Sequence, residues 1–374
     1  MKLRAVFLTA LCVASTNSGA DAVQLNNESI FEDYAYTAKR PGVVRWTDKG
    51  AGFTALETAP GYEDKVLEKD RNGEDIKVFE EIVEYDPATL DRRVLVTLKQ
   101  LTPAGSNKAL VIDDYRWSDD QSSLLVYTNA QYVWREKTRG DYWLLDLETD
   151  QLWQLGDTEA ASSQMMFGKL SPDGSKFAYV SGNNIYVQDI GSHKITALTE
   201  DASDTIINGL FDWAYEEEFS IADGFRWSPD SKRIAYWQID THAARDFFII
   251  NNTDTLYPQV TAIPYPKVGQ ENAGARIGVV SLASAATVWM QLPGVPRDMY
   301  LPRMDWADNA RQLLVQQLNR KQDTNTLFYA DADSGEVTRA LVEQDKSFLE
   351  VLGEPVWLAD SKSFLWQSER DGWV

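Results

Sequence analysis

Three consecutive carboxylates, Glu216, Glu217 and Glu218, stand directly behind Asp212, Trp213 and Tyr215 and ahead of Phe219 in the stretch GLFDWAYEEEF. On a chain with 57 acidic residues, such a triplet is ordinarily a solvated face. The large aromatic neighbours give this one a second reading. Successive helical side chains diverge by about 100°, so two adjacent carboxylates can approach one point from different sides. Partly shielded carboxylates suit a compact cation such as a primary ammonium, which offers three N–H donors. On residue types alone both readings stand.

Other chemistry is poorly represented. No Gly-x-Ser-x-Gly occurs, so the nucleophile elbow of an α/β-hydrolase is missing from these residues. The two histidines, His193 in a Gly-Ser-His-Lys turn and His242 after a strand, have no Ser/Asp constellation around them and read as surface residues. There is no His/Cys cluster and no Asp-x-Asp-x-Asp loop with a terminal Glu, so no metal is expected. Gly-rich phosphate loops are absent too, and no cofactor is expected.

The elements that must position the acidic run are short alternating strands. One unit recurs: an aromatic, a turn rich in Asp, Pro or Gly, then an alternating apolar strand. It occurs at Trp117-Ser-Asp-Asp120, Ser171-Pro-Asp-Gly174, Trp227-Ser-Pro-Asp230, Trp306-Ala-Asp-Asn309 and Trp357-Leu-Ala-Asp360, with a weaker copy at Trp46-Thr-Asp-Lys49. A third strand usually follows, as in Asp141–Asp146, Asn184–Gln188, Asp246–Ile250 and Thr326–Ala330, and a fourth after that, as in Leu152–Leu155 and Lys194–Leu198. Most copies are spaced by about 50 residues, the length of a four-stranded propeller blade. A β-sandwich would not explain the recurring aromatic–turn–strand unit. The expected fold is all-β, a propeller of four-stranded antiparallel blades, with Pro258–Ile277 as an insertion or irregular blade. The unit is still running at Gln367–Val374, so the expectation is the front part of a longer protein.

The bulk figures agree with a soluble, strand-rich body. The chain has 374 residues, 44% of them hydrophobic, and a net charge of −21, which repels nucleic acid and anionic membrane surfaces. Lys2 and Arg4, the apolar run Ala5–Ala14 and the small residues Ser18-Gly-Ala20 form a signal-peptide pattern over residues 1–20. The sole cysteine, Cys12, lies inside it, behind Leu11, where a lipid-anchor motif requires a small residue. No later run is long enough to span a membrane. A periplasmic or secreted protein is expected, with a lead-in over 21–45 and a partial propeller over 46–374.

Asp212-Trp-Ala-Tyr-Glu-Glu-Glu218, followed by Phe225–Asp230 and Ile234–Trp237, resembles the N-terminal propeller of the dipeptidyl peptidase IV family of serine peptidases. Tyr132-Val-Trp-Arg135 with Tyr142 and Asp146-Leu147, the blade Ser171–Val187, and Ile263–Gly269 fit the same family, and the resemblance runs from about Tyr127 to the end. The resemblance implies an eight-bladed propeller, incomplete here, that caps a C-terminal α/β-hydrolase domain lying beyond residue 374. It implies release of Xaa-Pro or Xaa-Ala dipeptides from free N-termini. Glu217 and Glu218 would hold the substrate α-ammonium, with Glu216 less direct and Asp212, Trp213 and Tyr215 supporting. Arg135 would orient a substrate carbonyl. Peptides with a free N-terminus are the implied partners, and a homodimer the implied assembly of the full-length protein. The competing expectation is a non-catalytic propeller that binds peptides or proteins.

Overall fold

A computed structural model describes residues 25–32, 35–36, 44–47, 50–62, 68–69, 75–76, 79–351, 353–358 and 363–373. The signal-peptide segment and Cys12 lie outside them. Among the described residues helix is confined to two short pieces, α1 (Asn27–Phe31) and α2 (Trp213–Phe219); the rest of their regular structure is antiparallel strand.

The chain builds sheets one after another in sequence order. The first is Val44–Thr47, Gly52–Thr58, Glu80–Tyr85 and Arg92–Val96. The second is Asp114–Trp117, Ser123–Val133, Glu136–Asp146 and Gln151–Gln154, and the third Met165–Leu170, Lys176–Ser181, Asn184–Asp189 and Ile195–Ala197. These two are joined by pairing of Met165 and Met166 with Gly140 and Arg139. The fifth is Met299–Trp306, Gln312–Asn319, Thr324–Asp331 and Val337–Gln344, and Val356–Trp357 with Phe364–Leu365 begins a sixth. This is an all-β propeller architecture whose sheets, among the described residues, do not close into a ring.

The recurring sequence unit has a common physical cause. In three blades its serine closes the turn between the first and second strands. The hydroxyls of Ser118, Ser171 and Ser228 donate to Asp120, Asp173 and Asp230 at 2.7, 2.6 and 2.7 Å, and accept the amides of Ser123, Lys176 and Arg233 at 3.0 Å. The residue after each aspartate, Gln121, Gly174 or Ser231, sits in the left-handed region. The tryptophans sew each blade to an earlier one. Trp117 donates its indole N–H to Thr54 Oγ1 (3.2 Å), Trp227 to the Lys169 carbonyl (3.3 Å) and Trp306 to the Arg226 carbonyl (3.2 Å). Buried Trp needs such a partner, so the aromatic is retained where a flat apolar side chain must also carry a donor. Basic side chains one position earlier sew in the other direction: Arg45 reaches Asp114 (2.6 Å) and the Tyr115 carbonyl (3.2 Å) of the next blade.

The fourth blade departs from the pattern twice. Its second strand, Arg233–Asp240, faces a first strand made of two pieces, Phe225–Trp227 and Ile206–Asn208, and the chain between them leaves the sheet to form α2. Its third strand is Gly274–Ser281, paired along the whole length of Arg233–Asp240, and its fourth is Thr287–Trp289. The expected third strand, Asp246–Ile250, belongs elsewhere. Asp246–Asn251 pairs with Gln259–Pro264 in a separate two-stranded hairpin. A short run of aromatic and β-branched residues announces a strand but not its partner, so the sequence reading put these residues in the wrong sheet. The insertion accordingly starts before Pro258.

Candidate functional site

The excursion that carries the carboxylates begins and ends at a backbone neck. Gly209 donates to the Trp237 carbonyl (2.9 Å), Trp237 donates to Gly224 (3.0 Å), and the Gly224 amide donates to the Gly209 carbonyl (3.0 Å). Gly209 has φ +74°, and a Cβ on Gly224 would lie 2.5 Å from the Gly209 carbonyl carbon. Both positions therefore require glycine. Asp212 then caps α2, its carboxylate accepting the Tyr215 amide at 3.1 Å, and Ser220 ends the helix at φ +50°.

Seven residues are too few to hold a helix by propensity, so α2 depends on its buried face. Tyr215 and Phe219 are that face. Tyr215 stacks on Phe211 (centroids 5.3 Å apart), packs against Phe219 (5.4 Å), and its hydroxyl accepts the Leu301 amide at 3.1 Å. Each such ring buried is worth about 1.5–3 kcal/mol. With Tyr215 and Phe219 turned inward, Glu216, Glu217 and Glu218 are left around the rest of the helix circumference.

Arg135 arrives from the second blade. The strands Ser123–Val133 and Glu136–Asp146 form a long hairpin whose register shifts between Thr128 and Tyr132. Asn129 is left-handed there, and its side-chain amide is held by the buried Asp141 carboxylate (2.7 Å), which also accepts from Ser162 and the Ser163 amide (both 2.6 Å). Such a bulge re-aims a hairpin tip. Trp134, at φ +56°, and Arg135 form that tip. Arg135 Nε meets Glu217 Oε1 at 2.6 Å, with the arginine largely exposed and the glutamate mostly covered.

Glu216 and Glu217 share one wall of a cavity of about 300 Å³, completed by Trp134, Arg135, Glu136, Ser220, Ile221 and Ala222. Glu218 is exposed and lines a second cavity of about 220 Å³, with Asp212, Trp213, Tyr215, Tyr265 and Tyr300 among its walls. Glu217 and Arg135 are thus brought into contact, while Glu218 faces the other side of the helix. Trp213 is half-buried against Tyr265, with ring centroids 4.5 Å apart.

The electrostatics single out residues that charge counting does not. Burial first, then the charges of Glu136, Asp212 and Glu217, push the Glu216 carboxyl up to about 7. Burial also raises Asp212 to about 6, and its second oxygen has no hydrogen-bond partner. A carboxyl whose folded pKa exceeds its unfolded value destabilises the fold once ionised. For Glu216 the penalty is absent well below pH 4.5, grows between 4.5 and 7, and is complete above 7. Three carboxylates face one guanidinium here, which leaves the cavity with capacity for a further cation.

Sequence reasoning missed Glu136, next to Arg135 in the chain, and Lys169 and Asp223 at the foot of the excursion. Lys169 could have been found, because it occupies the position held by Arg45, Arg116 and Arg226 in other copies of the repeat. Among the described residues no group of three or more His, Cys, Asp or Glu is arranged to hold a metal ion, and no helix is long and apolar enough to cross a membrane.

The family model described as the dipeptidyl peptidase IV N-terminal region matches residues 118–374. Inactive dipeptidyl peptidase 10 of Mus musculus is 27% identical over 323 residues, covering 84% of this chain and 39% of the relative. Dipeptidyl aminopeptidase B of Saccharomyces cerevisiae is 31% identical over 245 residues, covering 64% of this chain and 29% of the relative. The crystal structure of Porphyromonas gingivalis dipeptidyl peptidase 4 superposes with a TM-score of 0.74 at 24% identity, covering 87% of this chain and 43% of that one, a likeness of fold. The chain spans less than half the length of the relatives it matches.

Proposed function

The chain belongs to the dipeptidyl peptidase IV family, in its N-terminal region, and from that premise we propose that it is the substrate-recognition propeller of an exported serine-type dipeptidyl peptidase releasing Xaa-Pro or Xaa-Ala dipeptides. The observation that carries the proposal is the Arg135–Glu217 pair, which joins a hairpin tip of the second blade to the helix of the fourth over an acidic cavity. In this reading Glu217 and Glu218 both accept N–H donors of the substrate α-ammonium, which requires the exposed Glu218 side chain to turn from its own cavity toward the one that Glu217 lines. Arg135, mostly exposed, offers its remaining donors to a backbone carbonyl. Asp212, Trp213 and Tyr215 hold the helix, and Glu216 adds negative potential beneath it.

The chemistry requires such a clamp because an exopeptidase must measure from the chain end, and the end differs from the interior by its charged amine. Fixing that amine sets the register of cleavage and brings the scissile bond to the nucleophile. The Ser–His–Asp triad belongs, in this proposal, to the portion of the relatives' length that the chain does not span. A homodimer of the full-length protein is part of the same proposal. The hairpin Asp246–Pro264 offers it an exposed apolar surface in Phe247, Phe248, Ile249 and Ile250. Export through a cleaved segment 1–20 completes the reading.

The test is hydrolysis of an Xaa-Pro chromogenic amide by the full-length gene product. Glu217→Ala and Glu218→Ala should each lower kcat/KM by roughly 100-fold, the loss expected when charged hydrogen bonds to the substrate are removed, with folding intact. Near-full activity in both variants would contradict the assignment. A second reading, a non-catalytic propeller that binds peptides, draws on the mouse relative whose name calls that protein inactive. It wins if the wild-type protein binds free N-termini but cleaves none.

A further inference from the structure

Besides its backbone neck, the excursion Leu210–Asp223 has two side-chain fastenings to the body. One is the aromatic face of α2. The other is at its return, where Asp223 meets Lys169 from the first strand of the third blade. Lys169 Nζ donates to both Asp223 oxygens (2.5 and 2.8 Å) and to the Phe225 carbonyl (2.6 Å), and lies 3.7 Å from the centre of the Phe225 ring. Arg226 adds donors to the carbonyls of Asp223 and Phe225, both at 3.0 Å.

The bland account is an ordinary stitch between blades, and its model is Arg45. That residue occupies the same position of the repeat in the first blade and grips Asp114 and the Tyr115 carbonyl of the second. The two stitches differ in what they hold. Asp114 is the first residue of a blade strand, whereas Asp223 lies outside the sheet, in the segment returning from α2. Ser220, Ile221 and Ala222, immediately before Asp223, line the cavity that Glu217 and Arg135 share. A displacement at Asp223 is therefore transmitted to the cavity wall and to the C-terminal end of α2. The grip is also short and desolvated, with three contacts between 2.5 and 2.8 Å. Burial pulls the Lys169 ammonium down to about 8, an expense that its carboxylate and carbonyl partners partly offset.

We propose that Lys169 is a positioning residue for the substrate clamp, acting through Asp223 to fix the return of the excursion and so the placement of Glu217 against Arg135. The clamp's role in binding a substrate amine rests on the reading given above; the latch itself does not.

Two measurements separate them. Hydrogen–deuterium exchange of the full-length gene product reads the latch without any substrate. Amides of residues 210–223 should exchange about tenfold faster in Lys169→Met and in Asp223→Asn, with the strands of the second and third blades unchanged. Unchanged exchange over 210–223 in both variants overturns the latch. Steady-state kinetics on an Xaa-Pro amide then reads its consequence. Each variant should raise KM about tenfold with kcat within twofold, and the double variant should be no worse than the worse single, because the two residues act as one unit. Additive losses, or a lowered Tm with KM unchanged, would make Lys169 a stitch like Arg45 and overturn its positioning role. Lys169→Arg, which keeps the charge, should recover most of the KM. If the wild-type protein cleaves no Xaa-Pro amide, the functional reading fails and the exchange data alone decide the latch. Should Lys169→Met not fold, Asp223→Asn, at a partly exposed residue, carries both arms.

Discussion

Blade four holds two insertions of opposite character. The excursion Leu210–Asp223 breaks the first strand, closes on a Gly209–Gly224 neck, and turns Phe211, Tyr215 and Phe219 into the core. The hairpin Asp246–Pro264 follows the second strand and leaves Phe247, Phe248, Ile249 and Ile250 in solvent, with Phe248 60% and the loop residue Leu256 92% exposed. Both are additions to one sheet, yet the first is fastened at neck, aromatic face and return, and the second by its own ladder and, at its base, by buried Ile263 and the Phe247–Tyr265 contact. Under the proposed function the difference separates two jobs. A segment that must place a carboxylate to within an ångström needs its rotamers and backbone fixed from several sides. An apolar ribbon offered outward needs only to persist as a strand pair until something covers it.

The largest expected effect lies in the excursion. Tyr215→Ala empties a buried ring site, strips the Leu301 amide of its acceptor, and should cost about 3–5 kcal/mol in denaturant unfolding. A loss below about 1 kcal/mol would mean that α2 is not held by its aromatic face. At the other end of the scale, Phe248→Ser in the hairpin should change stability by less than about 0.5 kcal/mol. Its effect should be on sedimentation, shifting the full-length protein from dimer to monomer. A destabilised monomer, or an unchanged dimer, would erase the contrast between the two insertions.

Legibility in the sequence followed the same division. The blades could be read because each turn is a local device: a serine, an aspartate two residues later and a left-handed residue after that fix it within six residues. The helix cap is a local device too, since Asp212 reaches only as far as the Tyr215 amide, but no cap was read from the residues. Strand partners were not local. Asp246–Ile250 is a short apolar run of strand length, and only the tertiary pairing of Arg233–Asp240 with Gly274–Ser281 excludes it from the sheet. Arg135 was placed beside the carboxylates by family resemblance alone, because a bulge around Asn129 and a hairpin tip bring it there. The raised Glu216 carboxyl was invisible for want of any knowledge of burial, and Lys169 was overlooked although its repeat position marked it.

The central claim is that the carboxylates of α2 recognise a free N-terminus. It is tested most directly by calorimetric titration of the full-length gene product with a non-hydrolysable Xaa-Pro peptide, with its amine free and then acetylated. Two charged hydrogen bonds to the amine predict at least roughly 100-fold tighter binding of the free peptide, an advantage that falls to about tenfold in Glu217→Ala, where Glu218 remains. Equal affinity for the free and acetylated peptides in the wild-type protein would contradict the account.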